Sequence, residues 1–496
     1  MSPEQIRAFQ QRQLKKIVKF AKLHSPFYSN LYKHIDPDDP QFELEHLPVT
    51  TKQMLMENFD RVVTDRRLNL ELVKEWVSDP DRVGKLLLGK FVATTTSGTT
   101  GAPGYFVYNK RDWDWIQAFA VTRGIRFKPS FFQFWYYAGR IFVKRVKVAL
   151  VSVLSGHFIT YVLFKLTPAI GKLVSRFEYF SVVDPVDKLV AGLNELQPNV
   201  LHCYPTMLEV LAHEQMDGRL NIDPWIITCS SEPLTGPARE AIRKAFPHSP
   251  LFETYGTSEG VNLASECAEH DGLHLNNDYF IVEPVREDTT AVQAGEPGEG
   301  MLLSCLFSKA MPILRYEISD RVSFEKDGCD CGLPYPLIRV EGRTDDTLWV
   351  TNARGEPVAL PPIPFEALFL GLEDLVQYRL VQKKRNLLLV LYRLSDSGDF
   401  KQVENSLDER FKDYLSRKGV GDSVVVQFEK VDEIRRDDKT GKTRQIVSEL
   451  PRPFLPGKAL GDRRSGKDRR VLEKAAETDR RQSKRRSADK QENGDS

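Results

Sequence analysis

Several short stretches of this 496-residue chain combine residue types suited to chemistry on a phosphorylated substrate. The loop Thr96-Ser97-Gly98-Thr99-Thr100-Gly101-Ala102-Pro103-Gly104 lies between two extended runs. Its glycines let backbone N–H groups turn toward an anion, and its hydroxyls add hydrogen bonds to phosphate oxygens. No Gly-Lys-Ser/Thr opens a helix after it, so it is not a Walker loop; taken alone it is also compatible with an ordinary turn. The second stretch, Glu253-Thr254-Tyr255-Gly256-Thr257-Ser258-Glu259, follows an apolar strand end, where crevices form in open α/β sheets. Its aromatic ring, hydroxyls and carboxylate suit adenine, phosphate and Mg2+, against the plainer reading of a strand and a polar turn. Tyr316-Glu317-Ile318-Ser319-Asp320 and Gly342-Arg343-Thr344-Asp345-Asp346 stand where a large unit ends, although a lone carboxylate in a turn often only caps it. Lys439-Thr440-Gly441-Lys442-Thr443-Arg444 is by itself a basic surface turn. Cys267, His274, Cys329 and Cys331 supply one Cys-x6-His and one Cys-x-Cys pair, a tetrahedral N/S set for zinc whose spacing is not that of a standard finger.

The elements that must position these residues read as α/β. From about 185 to 320, apolar strands such as NVLHCYP, WIITCSS and PLFETYG alternate with helical stretches of about a dozen residues, which predicts layers around largely parallel strands. After Gly342-Arg343-Thr344-Asp345-Asp346 the chain restarts as a smaller α+β unit. The expected organisation is a large multi-layer α/β domain with mixed sheets over residues 1–343 and a small mobile α+β lid over 344–451. A disordered basic tail is expected over 452–496, where fourteen Lys/Arg face eight Asp/Glu and few apolar residues are left to offset ordering entropy. Ser155-Gly156-His157-Phe158 lies in an apolar run, where a histidine is commonly a satisfied core residue. The aromatic cluster at 131–137 reads as core, with an acyl-pocket wall as the alternative.

The overall balance, 70 basic against 69 acidic residues, gives no case for a general nucleic-acid-binding surface. The stretch 146–166 is interrupted by Lys147, Gly156, His157 and Lys165, so it reads as buried strand and helix rather than a membrane span. The N-terminus lacks the apolar core of a secretory signal, and six scattered cysteines do not form a disulfide framework. Both point to the cytoplasm.

In order and spacing the set resembles the adenylate-forming superfamily of acyl-CoA synthetases, luciferases and peptide-synthetase adenylation domains. It looks most like the phenylacetate–CoA ligase and coenzyme F390 synthetase branch. The resemblance rests on LPVTTKQMLMENF, SGTTGAPG, HCYPTMLEVLA, SSEPLTGPAREAIRKAF, ETYGTSEG, CAEHDGLHL, MPILRYEISDRV, CDCG and GRTDD, and spans about residues 20–450. It implies ATP-dependent activation of a small carboxylic acid to acyl-AMP, then thioester formation with coenzyme A. The rivals are transfer to an amine in surface-polysaccharide assembly and a non-catalytic protein on the same fold. By the resemblance, Ser97, Gly98, Thr99, Thr100 and Gly101 embrace the β- and γ-phosphates. Ser231, Glu232, Glu253, Thr254, Tyr255 and Gly256 line the adenine pocket. Thr257 touches the α-phosphate, Glu259 ligates Mg2+, and Asp320 holds the ribose with Arg343 beside it. Asp345 is the hinge, Lys442 reaches the reacting carboxylate, and His157 and Phe158 sit at the acyl site. Matching segments also favour structural zinc on Cys267, His274, Cys329 and Cys331. A homodimer is left open. The stretch 347–355 departs from the Arg-Gly-Val-Asn-like loop of these relatives, which puts the thiol-transfer step on weaker ground than adenylation.

Overall fold

β-Branched and aromatic residues at Phe91–Thr95 and Tyr105–Asn109 pair as an antiparallel hairpin, Phe91 opposite Asn109 and Thr95 opposite Tyr105. Asn109 then caps the helix Lys110–Arg123, its side chain accepting from the Asp112 N–H at 2.9 Å. The computed structural model describes residues 2–450 except 97–102, 125–144, 155, 183, 287, 294, 327, 344–347, 356, 361–364, 366–367, 370–371, 373, 396–398 and 436–444. The cluster at 131–137 and the segment 451–496 therefore lie outside the described residues.

Five short apolar runs form the parallel half of a nine-stranded sheet. From the edge inward they are Ser175–Ser181, Val146–Ser152, Val200–Cys203, Ile226–Cys229 and Leu251–Tyr255. Ala264–Glu266, Leu273–Leu275, Leu337–Arg343 and Asp320–Phe324 continue it antiparallel. The central parallel strands are buried almost throughout, as their unbroken apolar sequences require. Helices Val186–Leu196 and Gly236–Ala245 follow the periodicity of one apolar face. The helix Pro205–Met216 is buried over most of its surface, Glu209 and Glu214 included, and also touches the later strand Leu375–Lys384.

Toward the C-terminus a separate core forms around a four-stranded sheet in the order Val425–Lys430, Leu387–Leu394, Leu375–Lys384, Ile446–Ser448. The helix Phe400–Arg417 buries Val403, Leu407, Phe411 and Leu415 against it, one residue per turn on a single stripe. The α/β expectation holds: a large mixed-sheet body and a smaller α+β body. Among the described residues no helix is long and apolar enough to cross a membrane. The stretch 146–166 divides into the strand Val146–Ser152 and the short helix Ile159–Lys165.

Candidate active site at the sheet end

The strand Leu251–Tyr255 delivers its motif to the carboxyl end of the parallel strands, and the bonds that hold it come from far along the chain. Tyr255 Oη donates to Asp320 Oδ2 at 2.7 Å, joining two residues expected at the nucleotide, and Asp320 is buried. Thr254 Oγ1 donates to the Cys229 carbonyl at 3.3 Å, tying adjacent strand ends. Gly256 is obligatory, because a Cβ there would stand 1.5 Å from the Val261 carbonyl oxygen. The chain turns back at once, with the Val261 N–H bonded to the Thr257 carbonyl at 2.7 Å. Tyr108 of the first hairpin donates to the Ser258 carbonyl at 2.5 Å, so the hairpin that carries the small-residue loop is anchored to this turn. Arg343 lies directly opposite Asp320 in the strand register.

Two buried polar groups lie in the turn. Thr257 Oγ1 is buried and has no hydrogen-bond partner among the described residues. Glu259 is buried beside the Tyr316 hydroxyl; burial, and then this carboxylate, raise Tyr316 well above the ordinary phenol range. Burial also pushes up the Cys305 thiol, with Glu259 adding to the effect. A buried carboxylate that raises its neighbours in this way is a site where a divalent cation would be welcomed.

Other expected residues are held by protein partners. Glu232 Oε2 accepts from Thr206 N–H at 3.2 Å and from its hydroxyl at 2.7 Å, at the N-terminus of Pro205–Met216 where a carboxylate is favoured. Glu253 accepts from the Leu234 N–H at 3.4 Å and faces Arg239 at 3.5 Å, while Arg239 bonds Glu266 at 2.5 Å. Ser231, next to Glu232, takes φ +75°, a left-handed conformation uncommon for non-glycine residues. Its hydroxyl lies 3.3 Å from Thr160 Oγ1.

His157 is buried, with Nδ1 3.2 Å from the Val77 carbonyl and Nε2 unpartnered among the described residues. Burial lowers its pKa, and Asp79 and Arg82 are its charged neighbours, so the ring faces the 77–82 turn. Phe158 packs on the core of the parallel strands. Sequence reasoning passed over His202, whose ring nitrogens lie 2.8 Å from Thr228 Oγ1 and 3.2 Å from Ser230 Oγ. Burial depresses His202 to about 4, so it is neutral at physiological pH. The only sequence signal for it is a histidine in a strand that ends at the site. Ser97, Gly98, Thr99, Thr100, Gly101, Asp345 and Lys442 lie outside the described residues, as does the side chain of Arg343.

A second cluster lies on the antiparallel half of the sheet. The ligand atoms of Cys267, His274, Cys329 and Cys331 are all within 4.8 Å of one another. Cys267 and Cys329 sulfurs are 3.5 Å apart, and Cys331 Sγ is 3.2 Å from His274 Nε2. His274 Nδ1 donates to the Tyr335 carbonyl at 2.9 Å, which leaves Nε2 unprotonated toward the cysteines, the tautomer a metal ligand needs.

The arrangement is that of an adenylate-forming ligase fold. A 2-hydroxyisobutyryl-CoA ligase in its postadenylation state with 2-HIB-AMP superposes with TM-score 0.64 at 18% identity, covering 89% of each chain. The same ligase with 2-HIB-AMP and CoA in its thioesterification state gives 0.52 at 20% identity, covering 90% of each. By sequence the chain is phenylacetate–CoA ligase-like: it is 26% identical to the phenylacetate-coenzyme A ligase of Thermus thermophilus, over 95% of this chain and 97% of the relative. It is 25% identical to the phenylacetate-coenzyme A ligase of Escherichia coli over 72% and 76%, and 22% identical to Protein CapK of Staphylococcus aureus over 86% and 85%. No protein-family model matches the chain.

Proposed function

We propose that the protein condenses a carboxylic acid with ATP to acyl-AMP and pyrophosphate, then passes the acyl group to the thiol of coenzyme A. The observation that carries this reading is the meeting of Tyr255, Asp320, Thr257 and Glu259 at one sheet end, with the hairpin of the small-residue loop bonded to the same turn. A carboxylate oxygen of the substrate attacks the α-phosphorus, the bond to the bridging oxygen breaks, and pyrophosphate leaves; negative charge builds on the phosphate oxygens, so the reaction needs positioned donors rather than a protein nucleophile. Thr257 donates to the α-phosphate. Asp320, fixed by Tyr255, accepts from the ribose hydroxyls. Because Glu232 and Glu253 are engaged with Thr206, Leu234 and Arg239, it is the backbone of 230–232 and 253–255 that frames the adenine. Glu259 would hold Mg2+, which would neutralise the triphosphate. Lys442 would neutralise the approaching carboxylate, and rotation of residues 344–451 about Asp345 would withdraw it before the thiol enters.

The Cys267, His274, Cys329 and Cys331 set would hold one Zn2+ that pins the loop before Leu337–Arg343 to the strand Leu273–Leu275. The short ligand separations and the carbonyl-fixed His274 tautomer support this assignment.

An ATP–pyrophosphate exchange screen over a panel of carboxylic acids, followed by turnover with CoA or with hydroxylamine, tests the reaction. Acid-dependent exchange and CoA-dependent AMP release are expected. Failure of every acid in the panel to support exchange refutes adenylation, and turnover with hydroxylamine but not with CoA refutes the thiol acceptor in favour of an amine.

A further inference from the structure

One buried carboxylate beside the nucleotide turn is met by three residues. Glu266 ends the strand Ala264–Glu266, which pairs antiparallel with Leu251–Tyr255 so that Thr254 faces Ser265, and the next step of that register sets Glu266 beside Glu253. Glu266 Oε2 accepts from the Glu253 N–H at 2.8 Å and lies 3.3 Å from His270 Nδ1. Arg239 reaches both oxygens of Glu266, at 2.5 and 3.4 Å, and its Nη2 also lies 3.5 Å from Glu253 Oε2. Two carboxylates on adjacent strands repel each other, and a single guanidinium between them turns that repulsion into attraction. The position needs a fork, because lysine would bring the charge without the geometry to bridge two acids.

Arg239 comes from the segment that forms the facing wall. Residues 230–232 run into Leu234, whose N–H bonds Glu253 Oε1 at 3.4 Å, and then into Thr235, which caps the helix Gly236–Ala245 by accepting from the Ala238 N–H at 3.3 Å. The Arg239 N–H bonds the Thr235 carbonyl at 2.9 Å, so its side chain leaves the first turn of that helix. Leu234 and Arg239 thus close this wall onto Glu253 at two points. The other end of the bridge reaches the cysteine cluster. Cys267 follows Glu266 directly, and His270, in the turn between Cys267 and His274, takes φ +56° with its N–H bonded to the Cys267 carbonyl at 3.2 Å. A left-handed non-glycine residue persists where its surroundings over-determine it. A metal on Cys267 and His274 would clamp both ends of this turn and hold the His270 ring on Glu266.

We infer that Arg239 is a positioning residue for the nucleotide. By bridging Glu253 and Glu266 it fixes the spacing of the backbone walls at 230–232 and 253–255, and the Cys267, His274, Cys329 and Cys331 cluster sets that grip through Glu266 and His270, so that metal occupancy is read at the adenine. The inference rests on the reading of those two segments as the adenine walls. The test is calorimetric titration of the full-length protein with ATP and, as a probe of the phosphate contacts alone, inorganic tripolyphosphate. Arg239→Met should weaken ATP about tenfold and leave tripolyphosphate unchanged, and Arg239→Lys should recover only part of the loss. A zinc-selective chelator, with magnesium kept in excess, should weaken ATP in the parent and add little in Arg239→Met, because the coupling runs through the missing side chain. If the methionine variant does not fold, Arg239→Lys, which keeps the buried cation, carries both comparisons. ATP affinity that is unchanged in the variant, or that falls together with tripolyphosphate, would overturn the positioning role. Chelation that leaves the parent unchanged, or weakens parent and variant equally, would overturn the link to the metal. A parent that binds ATP no better than tripolyphosphate would instead refute the adenine walls, and the inference with them.

Discussion

Thr257→Val has opposite effects on stability and on catalysis. In the unliganded protein Thr257 Oγ1 is buried with no partner among the described residues, a state that costs about 1–3 kcal/mol relative to a satisfied hydroxyl. Valine has nearly the same shape and no polar atom, so the variant should be more stable than the parent by about 1 kcal/mol without nucleotide. If that hydroxyl donates to the α-phosphate, its bond to a charged acceptor is worth about 1.5–3 kcal/mol, and its loss should lower kcat/KM for exchange by about 10- to 150-fold. Urea unfolding at constant m reads the first quantity, and ATP–pyrophosphate exchange the second. Repeating the unfolding with ATP gives a third reading, because ligand binding should stabilise the parent more than the variant. A variant that is less stable and exchanges normally would refute the assignment, since it would mean that the hydroxyl serves the fold and not the substrate.

Gly256→Ala should cost about 3 kcal/mol or more and abolish exchange, because the added methyl meets the Val261 carbonyl rather than a movable side chain; the urea midpoint checks it. Metal analysis should find one zinc per chain, and Cys329→Ser should reduce that content and lower the thermal midpoint; a metal-free protein of full stability would exclude the site. His202 makes stability depend on pH. Its folded pKa is depressed by burial to about 4, so the unfolded chain takes up a proton first, and as pH falls from 6.5 to 4 up to about 3 kcal/mol of stability is lost. His202→Phe should flatten that part of the profile, and an unchanged slope would show that the ring is not held neutral.

The placements legible in the sequence are those that a contiguous stretch of chain sets. Tyr255, Gly256, Thr257 and Glu259 lie in one turn, and a strand followed by a glycine is enough to predict a sheet-end crevice there. The parallel strands from Val200 to Tyr255 were legible for the same reason, as short apolar runs separated by helices, whereas the strands from Ala264 to Ile318, expected in the same largely parallel stretch, pair antiparallel. The engagements that decide what each carboxylate is free to do were hidden, because they are made by residues distant in sequence. Glu232 meets Thr206 across 26 residues and Glu253 meets Arg239 across 14, so both carboxylates have protein partners that the local sequence does not reveal. His202 owes its neutral state to burial, and its partner Thr228 is set opposite it only by the parallel register of adjacent strands. The orientation of His157 toward Val77, 80 residues earlier, is equally invisible in an apolar run of sequence.

These long-range bonds have a common consequence for catalysis. Tyr108 to Ser258 spans 150 residues, Tyr255 to Asp320 spans 65, and Thr254 to Cys229 spans 25, yet all three end within one stretch of five residues. Transition-state stabilisation by hydrogen-bond donors depends on their being in place before charge develops, because reorganisation at that moment is paid out of the rate. A turn held by two strands of the large sheet and by the first hairpin, and closed to any side chain at Gly256, meets that requirement without relying on the nucleotide to order it. On this argument, loosening one tether, as Tyr108→Phe would do, should leave nucleotide affinity largely intact and reduce the rate of the chemical step, the opposite of what losing a direct ground-state contact does.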